Sequence, residues 1–372
     1  MRILQIITQG RGGPVDHAVD VAVELARQGH QSHLLGPAGP RLTGAAAHGV
    51  EVHAVEVASK ADVRGLRAVH GVVRRVRPDV LHLQDRRAGL LGRGVAAATS
   101  TPSAYTLHGV PDQLAGLVPG NLTIAPARPL DRTRYLTVER LLARTPRSTV
   151  VVPCEALADY ARDRVGVPAS RVRVVPNGVD RRWTEAPPRG GSSGSGDPVL
   201  QVLWLGLMQP VKRVPDLVAA VDRVAGVRLT LVGDGPQRPR IEAAVAAAAH
   251  PERIVLAGYH DDPASFLATA DLLALPSAAE ACPMVLLQAI AAGLPVIASR
   301  VGGVPELVRD GVDGLLYDAA DVHQLAAALA TLVADPARRL SMGASARARV
   351  LDRFGLDHTT AALCEIYQEL AS

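Results

Sequence analysis

The chain has 372 residues, 48% of them hydrophobic, and a formal charge of only +4. That length suits two domains at about 150 residues each, and so small a charge gives no footing for a nucleic-acid partner. Cys154, Cys282 and Cys364 are too widely spaced for a metal motif or a disulfide framework, which fits a reducing cytosol. No apolar stretch approaches the ~20 residues of a membrane-spanning helix, and the opening MRILQIITQG is too short for a signal-peptide core, so a cytoplasmic location is expected. Of 40 basic residues only Lys60 and Lys212 are lysines. Where arginine has replaced nearly every lysine, a surviving lysine points to a need for its compact ammonium.

Arg2 to Thr8 reads as a buried parallel strand, followed by the turn Gly10 to Pro14 with Gly12-Gly13 at its centre. The spacing predicts a helix over Val15 to Gln28, a strand over Val52 to Val57, a helix over Val63 to Val76 and a strand over Asp79 to Leu83. This alternation marks a doubly wound α/β domain. The Gly10–Gly13 turn lacks dinucleotide-fingerprint spacing and signals only an anion or a close backbone contact. Ser103 to Leu107 is a further strand and leaves His108 at its carboxyl end, where α/β sheets bind ligands. Gly109 to Leu136 shows no periodicity and reads as a long loop, a candidate acceptor wall. A helix over Thr137 to Ala143, strands over Thr149 to Pro153 and Val172 to Val175, and the turn PNGVD complete this half.

Residues 184–198 are rich in Pro, Gly and Ser and read as a linker. The second half restarts with a strand over Val199 to Gly206, a turn bearing Lys212, and a helix over Val214 to Val224. Strands over Val227 to Val232, Ile254 to Ala257, Leu272 to Leu275 and Pro295 to Ser299 follow, each meeting a turn. Pro283 lies where a helix would begin and Gly293 where it would end. The tail, Asp357 to Leu370, reads as an amphipathic helix, and the expected domains are 1–183 and 199–355.

The turns carry the chemistry. Parallel strands place them at one edge of each sheet, and glycine or proline turns that open helices suit an anionic ligand. Lys212 supplies a point charge for a phosphate. Glu280 accepts hydrogen bonds from sugar-like hydroxyls, and Gln288, both donor and acceptor, suits a diol such as ribose. There is no D-x-D pair and no His/Cys ligand cluster, so a metal-free diphosphate site without a cofactor is expected.

These residues resemble the retaining glycosyltransferases of family 4. The resemblance rests on the Lys212 turn, V-G-D-G-P at Val232–Pro236, E-A-C-P-M-V-L-L-Q-A at Glu280–Ala289, and A-G-L-P-V-I-A-S with the following G-G-V-P-E and G-V-D-G-L-L. Looser matches are Gly12-Gly13, D-V-L-H-L, T-L-H-G at Thr106–Gly109 and V-V-P-N-G-V-D, so nearly the whole chain is covered. The resemblance implies an α/β GT-B fold, two doubly wound Rossmann-like domains facing each other across a cleft, with the donor held by the second. It implies that Lys212 contacts the donor diphosphate and that Glu280 approaches the donor sugar. The backbone amides of Cys282-Pro283-Met284 would meet the sugar hydroxyls, Gln288 the ribose, His108 the sugar near C6, and Gly12-Gly13 the diphosphate. It further implies retention of anomeric configuration with no enzyme nucleophile, and a last helix, 356–372, that crosses back to pack on the first domain. The acceptor would be a small molecule or a glycolipid, the latter bringing peripheral membrane contact.

Two departures stand out. Leu207 follows Gly206 where the family carries an arginine, and Gln288 replaces a second acidic residue. Arg213, where the family often has glycine, is a candidate substitute for the lost charge. The Leu207 departure also supports an alternative, a degenerate transferase acting as partner to an active one. A nucleotide-sugar epimerase lacks an evident acid/base set.

Overall fold

The computed structural model describes residues 1–184 and 199–372. The expected linker therefore lies, from residue 185 to 198, outside the described residues. The chain divides into two compact units: Met1–Val118, Pro126–Gly178 and Leu356–Ser372 in the first, Pro119–Ala125 and Val179–Gly355 in the second.

The first unit is built on seven strands: β1 (Arg2–Ile6), β2 (Gln31–Gly36), β3 (Glu51–Ala54), β4 (Val80–Leu83), β5 (Ser103–Thr106), β6 (Ser148–Val152) and β7 (Val172–Val174). They pair in parallel in the order β3-β2-β1-β4-β5-β6-β7. Ile3, Leu4 and Ile6 of β1 are fully enclosed, as a central parallel strand covered on both faces requires. The last helix, Leu356–Ala371, packs Leu363, Ile366 and Tyr367 against Ile3, Val21, Val80 and Ala104.

Several elements differ from the reading of the sequence. The strand expected at 52–57 is Glu51–Ala54, and β2 and the helix Arg86–Thr99 are additional. The stretch 109–136 is not wholly irregular: it holds a short 3-10 turn at Asp112–Leu117 and the start of a helix, Pro129–Leu142. That helix buries none of its residues, so it has no apolar stripe for periodicity to reveal.

The second unit has six parallel strands: β8 (Leu200–Leu205), β9 (Val227–Val232), β10 (Ile254–Gly258), β11 (Leu272–Leu275), β12 (Val296–Ser299) and β13 (Gly314–Tyr317). Their order is β10-β9-β8-β11-β12-β13. One face buries Trp204, Leu217, Leu229 and Leu325, the other Leu203, Leu286, Ile290 and Val350. Pro119–Ala125 joins this unit because the Leu122 amide donates to the Ala278 carbonyl at 2.8 Å. Each sheet thus winds outward from its first strand in both directions, reversing at β1/β4 and at β8/β11. The two domains are Rossmann-like and the architecture is of the GT-B type. Among the described residues no helix is long and apolar enough to cross a membrane.

Candidate active site

In the second unit the site grows from the switch point between β8 and β11, where α/β sheets bind ligands beyond the carboxyl ends of their strands. β8 ends at Leu205 and the chain turns through Gly206–Gln209 into a short 3-10 turn, Pro210–Lys212. That turn is laced to the loop after β9: Gly206 N donates to Val232 O at 3.0 Å, Met208 N to Asp234 O at 2.8 Å and Gln237 N to Met208 O at 2.9 Å. Gly233 makes the approach feasible. Its φ is +136°, and a Cβ there would lie 1.9 Å from the Gly206 carbonyl oxygen.

The turn after β8 brings Lys212 to Glu280. Lys212 Nζ donates to Glu280 Oε1 at 2.6 Å, and Ser277 Oγ donates to the same oxygen at 2.6 Å. The Glu280 amide donates to Asn121 Oδ1 at 3.2 Å, and the Ala278 amide to Val211 O at 2.7 Å. Ser299, at the end of β12, donates its hydroxyl to the Ser277 carbonyl at 2.5 Å. Glu280 is thus held by its side chain and its amide. Its side chain is 8% exposed and that of Lys212 21% exposed, which leaves the pair at the rim of the protein interior rather than in open solvent.

Beyond Glu280 the helix Met284–Ala291 begins, and no side chain caps it. Pro283 precedes it and carries no N–H, so the amide donors expected of Cys282-Pro283-Met284 reduce to those of Cys282 and Met284. Cys282, Pro283, Met284 and Gln288 are all buried. Arg213 does not join the Lys212–Glu280 pair. Its backbone sits at φ +48° and its Nε donates to Asp216 Oδ2 at 2.6 Å, on the following helix.

In the first unit Gly12, at φ +108°, precedes the helix Gly13–Arg27, which also has no side-chain cap. His17, one turn into that helix, lies edge-on to His108 with ring centroids 5.0 Å apart. His108 Nε2 stands 3.0 Å from Gln84 Oε1, an acceptor, so this nitrogen carries the proton and Nδ1 is left as an acceptor. Gln84 in turn donates to Gln5 Oε1 at 2.6 Å. Behind them His82 is held between Tyr367 Oη at 2.5 Å and Thr106 Oγ1 at 2.6 Å. Burial lowers the His17 pKa to about 4 and, with the nearby His17, that of His82 to about 3. Burial, then His17 and His82, also drives His108 well below the ordinary histidine range. All three are neutral imidazoles at neutral pH, fit to accept or donate a hydrogen bond rather than to carry charge.

Asn121, His17 and Gln84 are members of these arrangements that the sequence did not single out. Asn121 lies 159 residues from Glu280 inside a stretch read as loop. His17 had a local signal, a histidine one turn beyond a double-glycine turn.

Residues 200–335 match the family described as Glycosyl transferases group 1, and residues 11–183 match Glycosyltransferase Family 4. The chain is 30% identical to a D-inositol 3-phosphate glycosyltransferase of Xylanimonas cellulosilytica over 308 residues, 78% of this chain and 72% of that one. It is 32% identical to the alpha-maltose-1-phosphate synthase of Mycolicibacterium smegmatis over 261 residues, 63% of this chain and 66% of that protein's length. Its fold is similar to that of Anabaena HepE, solved with UDP and glucose, with a TM-score of 0.82 and 22% identity over 99% of this chain and 100% of that one. The chain belongs to the group 1, family 4 glycosyltransferases.

Proposed function

We propose that this protein is a retaining glycosyltransferase that moves a sugar from a nucleotide diphosphate sugar to an acceptor hydroxyl. The observation that carries the reading is the Lys212–Glu280 pair at 2.6 Å, fixed by Ser277 and Asn121 beside an uncapped helix start. A carboxylate held this way accepts hydrogen bonds from sugar hydroxyls in a fixed direction. An ammonium beside it offsets the charge that grows on a diphosphate as its bond to the sugar breaks. A pair fixed in this way needs little reorganisation at the moment of reaction.

The other roles come from the family resemblance and from residue chemistry. His108 offers Nδ1 to a sugar hydroxyl, Gln288 serves the ribose, and Gly12-Gly13 serve the diphosphate. The departing diphosphate takes the acceptor proton on the face it leaves, which retains configuration without an enzyme nucleophile. The test is a transfer and hydrolysis assay with UDP-, GDP-, ADP- and dTDP-sugars, with the anomeric configuration of the product read by NMR. Turnover with one of them is expected. Folded protein that neither hydrolyses nor transfers from any of the four overturns the enzyme reading.

One observation favours a second reading, a degenerate transferase that binds without turnover. Leu207 stands where the family carries an arginine, and Arg213 is occupied by Asp216. Thermal stabilisation by a nucleoside diphosphate without turnover of the matching sugar would establish it.

A further inference from the structure

The sequence shows no ligand cluster, yet the fold assembles one away from the glycosyl-transfer residues. β2 and β3 run parallel, with β3 at the sheet edge, and their register sets His33 opposite Glu51 and Leu35 opposite His53. Glu51 and His53 are two apart on one strand and so share a face. His33 Nδ1 stands 3.3 Å from His53 Nε2. The Glu51 carboxylate oxygens stand 3.5 Å from His33 Nδ1 and 3.6 Å from His53 Nε2. The two imidazole planes lie 15° apart with ring centroids 5.5 Å apart. Among the described residues this is the one group of three His, Cys, Asp or Glu whose ligand atoms all lie within 4.8 Å of one another.

The His33–His53 contact is long for a hydrogen bond, where N–H donors stand roughly 2.7–3.2 Å from their acceptors, and it matches a ligand–ligand edge: nitrogens bound tetrahedrally to zinc at about 2.0–2.1 Å lie about 3.3–3.4 Å apart. Glu51 turns one oxygen to each nitrogen, so its carboxylate sits within reach of an ion between them. We propose that His33, Glu51 and His53 form a site for a divalent transition-metal ion of the zinc class. The ion would take three protein ligands and one open position, and would staple edge strand β3 to β2. His33 is buried and His53 partly so, while the Glu51 side chain, 66% exposed, leaves an entry path. Arg2 near His33 and Arg75 near His53 temper the affinity for a cation.

The test uses the full chain, stripped with chelator, and does not depend on any transferase activity. Calorimetric titration with zinc chloride should show a saturable site, a rise in Tm that magnesium does not reproduce, and with cobalt chloride the intense visible absorption of a tetrahedral ion. His53→Gln should weaken that binding beyond the roughly 10–100-fold that loss of an outer-shell partner costs. Glu51→Gln, at an exposed position where folding is not at stake, should weaken it in the same direction. His48→Ala, at an exposed histidine outside the cluster, should leave it intact. Equal zinc affinity in the parent, His53→Gln and Glu51→Gln proteins, or cobalt bound without a tetrahedral spectrum, overturns the proposal.

Discussion

Glu280 Oε1 accepts hydrogen bonds from both Lys212 Nζ and Ser277 Oγ at 2.6 Å, so a single carboxylate oxygen joins the turn after β8 to the loop after β11. Glu280→Gln keeps the shape and removes the charge. It should lower kcat/KM about 10²–10³-fold, the scale of a lost transition-state contact, with little change in Tm. Lys212→Ala should lower both, because it strips the ammonium from a carboxylate that is only 8% exposed. The loss of one charge-assisted hydrogen bond costs about 1.5–3 kcal/mol in the urea-unfolding free energy. Unchanged turnover in Glu280→Gln would remove Glu280 from the chemistry.

Gly302 lies hard against the Glu280 backbone. Its φ is +43°, and a Cβ there would meet the Glu280 carbonyl oxygen at 1.9 Å and Asn121 Oδ1 at 2.8 Å. Gly302→Ala should therefore displace the Glu280 backbone and weaken nucleotide-sugar binding as well as stability. Gly311 has a comparable φ of +76° and open space around it. Gly311→Ala should cost only the left-handed backbone term, about 1–2 kcal/mol, with donor KM unchanged. Equal effects of the two substitutions on KM would show that the crowding at Gly302 does not govern the site.

The contrast between these residues shows how far the sequence could be read. Lys212, Glu280 and the turns around them were legible because turn chemistry is local: glycine, proline and a lone charge sit within a few residues of one another. Asn121 was not, since its partner is distant in sequence and its own segment has no period. The helix Arg86–Thr99 escaped notice because it packs by absence of side chains. A Cβ on Gly89 would lie 2.3 Å from Tyr105, and one on Gly92 would lie 2.3 Å from Leu83. β2 escaped because buried Ser32 and His33 break its apolar run. With β2 unread, the meeting of His33 with Glu51 and His53 could not be foreseen, for it exists only through strand register.

Arg93 ties the helix Arg86–Thr99 to the helix Pro129–Leu142. The guanidinium is fully enclosed, donates from Nε to Gly89 O at 2.6 Å and from Nη2 to Glu139 Oε2 at 2.7 Å, and lies 4.4 Å over the Tyr105 ring. Glu139 belongs to Pro129–Leu142, none of whose residues is buried. Arg93→Met should cost about 3–5 kcal/mol, since it leaves a carboxylate facing an apolar interior. Adding Glu139→Gln should recover part of that loss, and hydrogen exchange along 129–142 should quicken in the single variant. Additive effects in the urea-unfolding cycle would mean the pair is not coupled.

The buried histidines should lower stability in acid. In the folded chain burial puts the His17 pKa at about 4 and the His82 pKa at about 3, against 6.5 for a free histidine. Above pH 6.5 both are neutral folded or unfolded, and neither penalises the fold. As the pH falls below 6.5 the unfolded chain binds protons that the folded chain cannot, so stability declines down to the folded pKa values. Each histidine contributes a slope of about 1.4 kcal/mol per pH unit across its window. His17 is the clean test, because its Nδ1 is buried without a hydrogen-bond partner and the side chain is only 2% exposed. His17→Leu removes the proton site without breaking a bond at Nδ1. Its unfolding free energy should fall less steeply between pH 6.5 and 4 than that of the parent, with the two curves separating only as the pH drops through that range. Parallel curves in urea titrations from pH 7.5 to 4 would show that His17 is not among the groups that limit stability in acid.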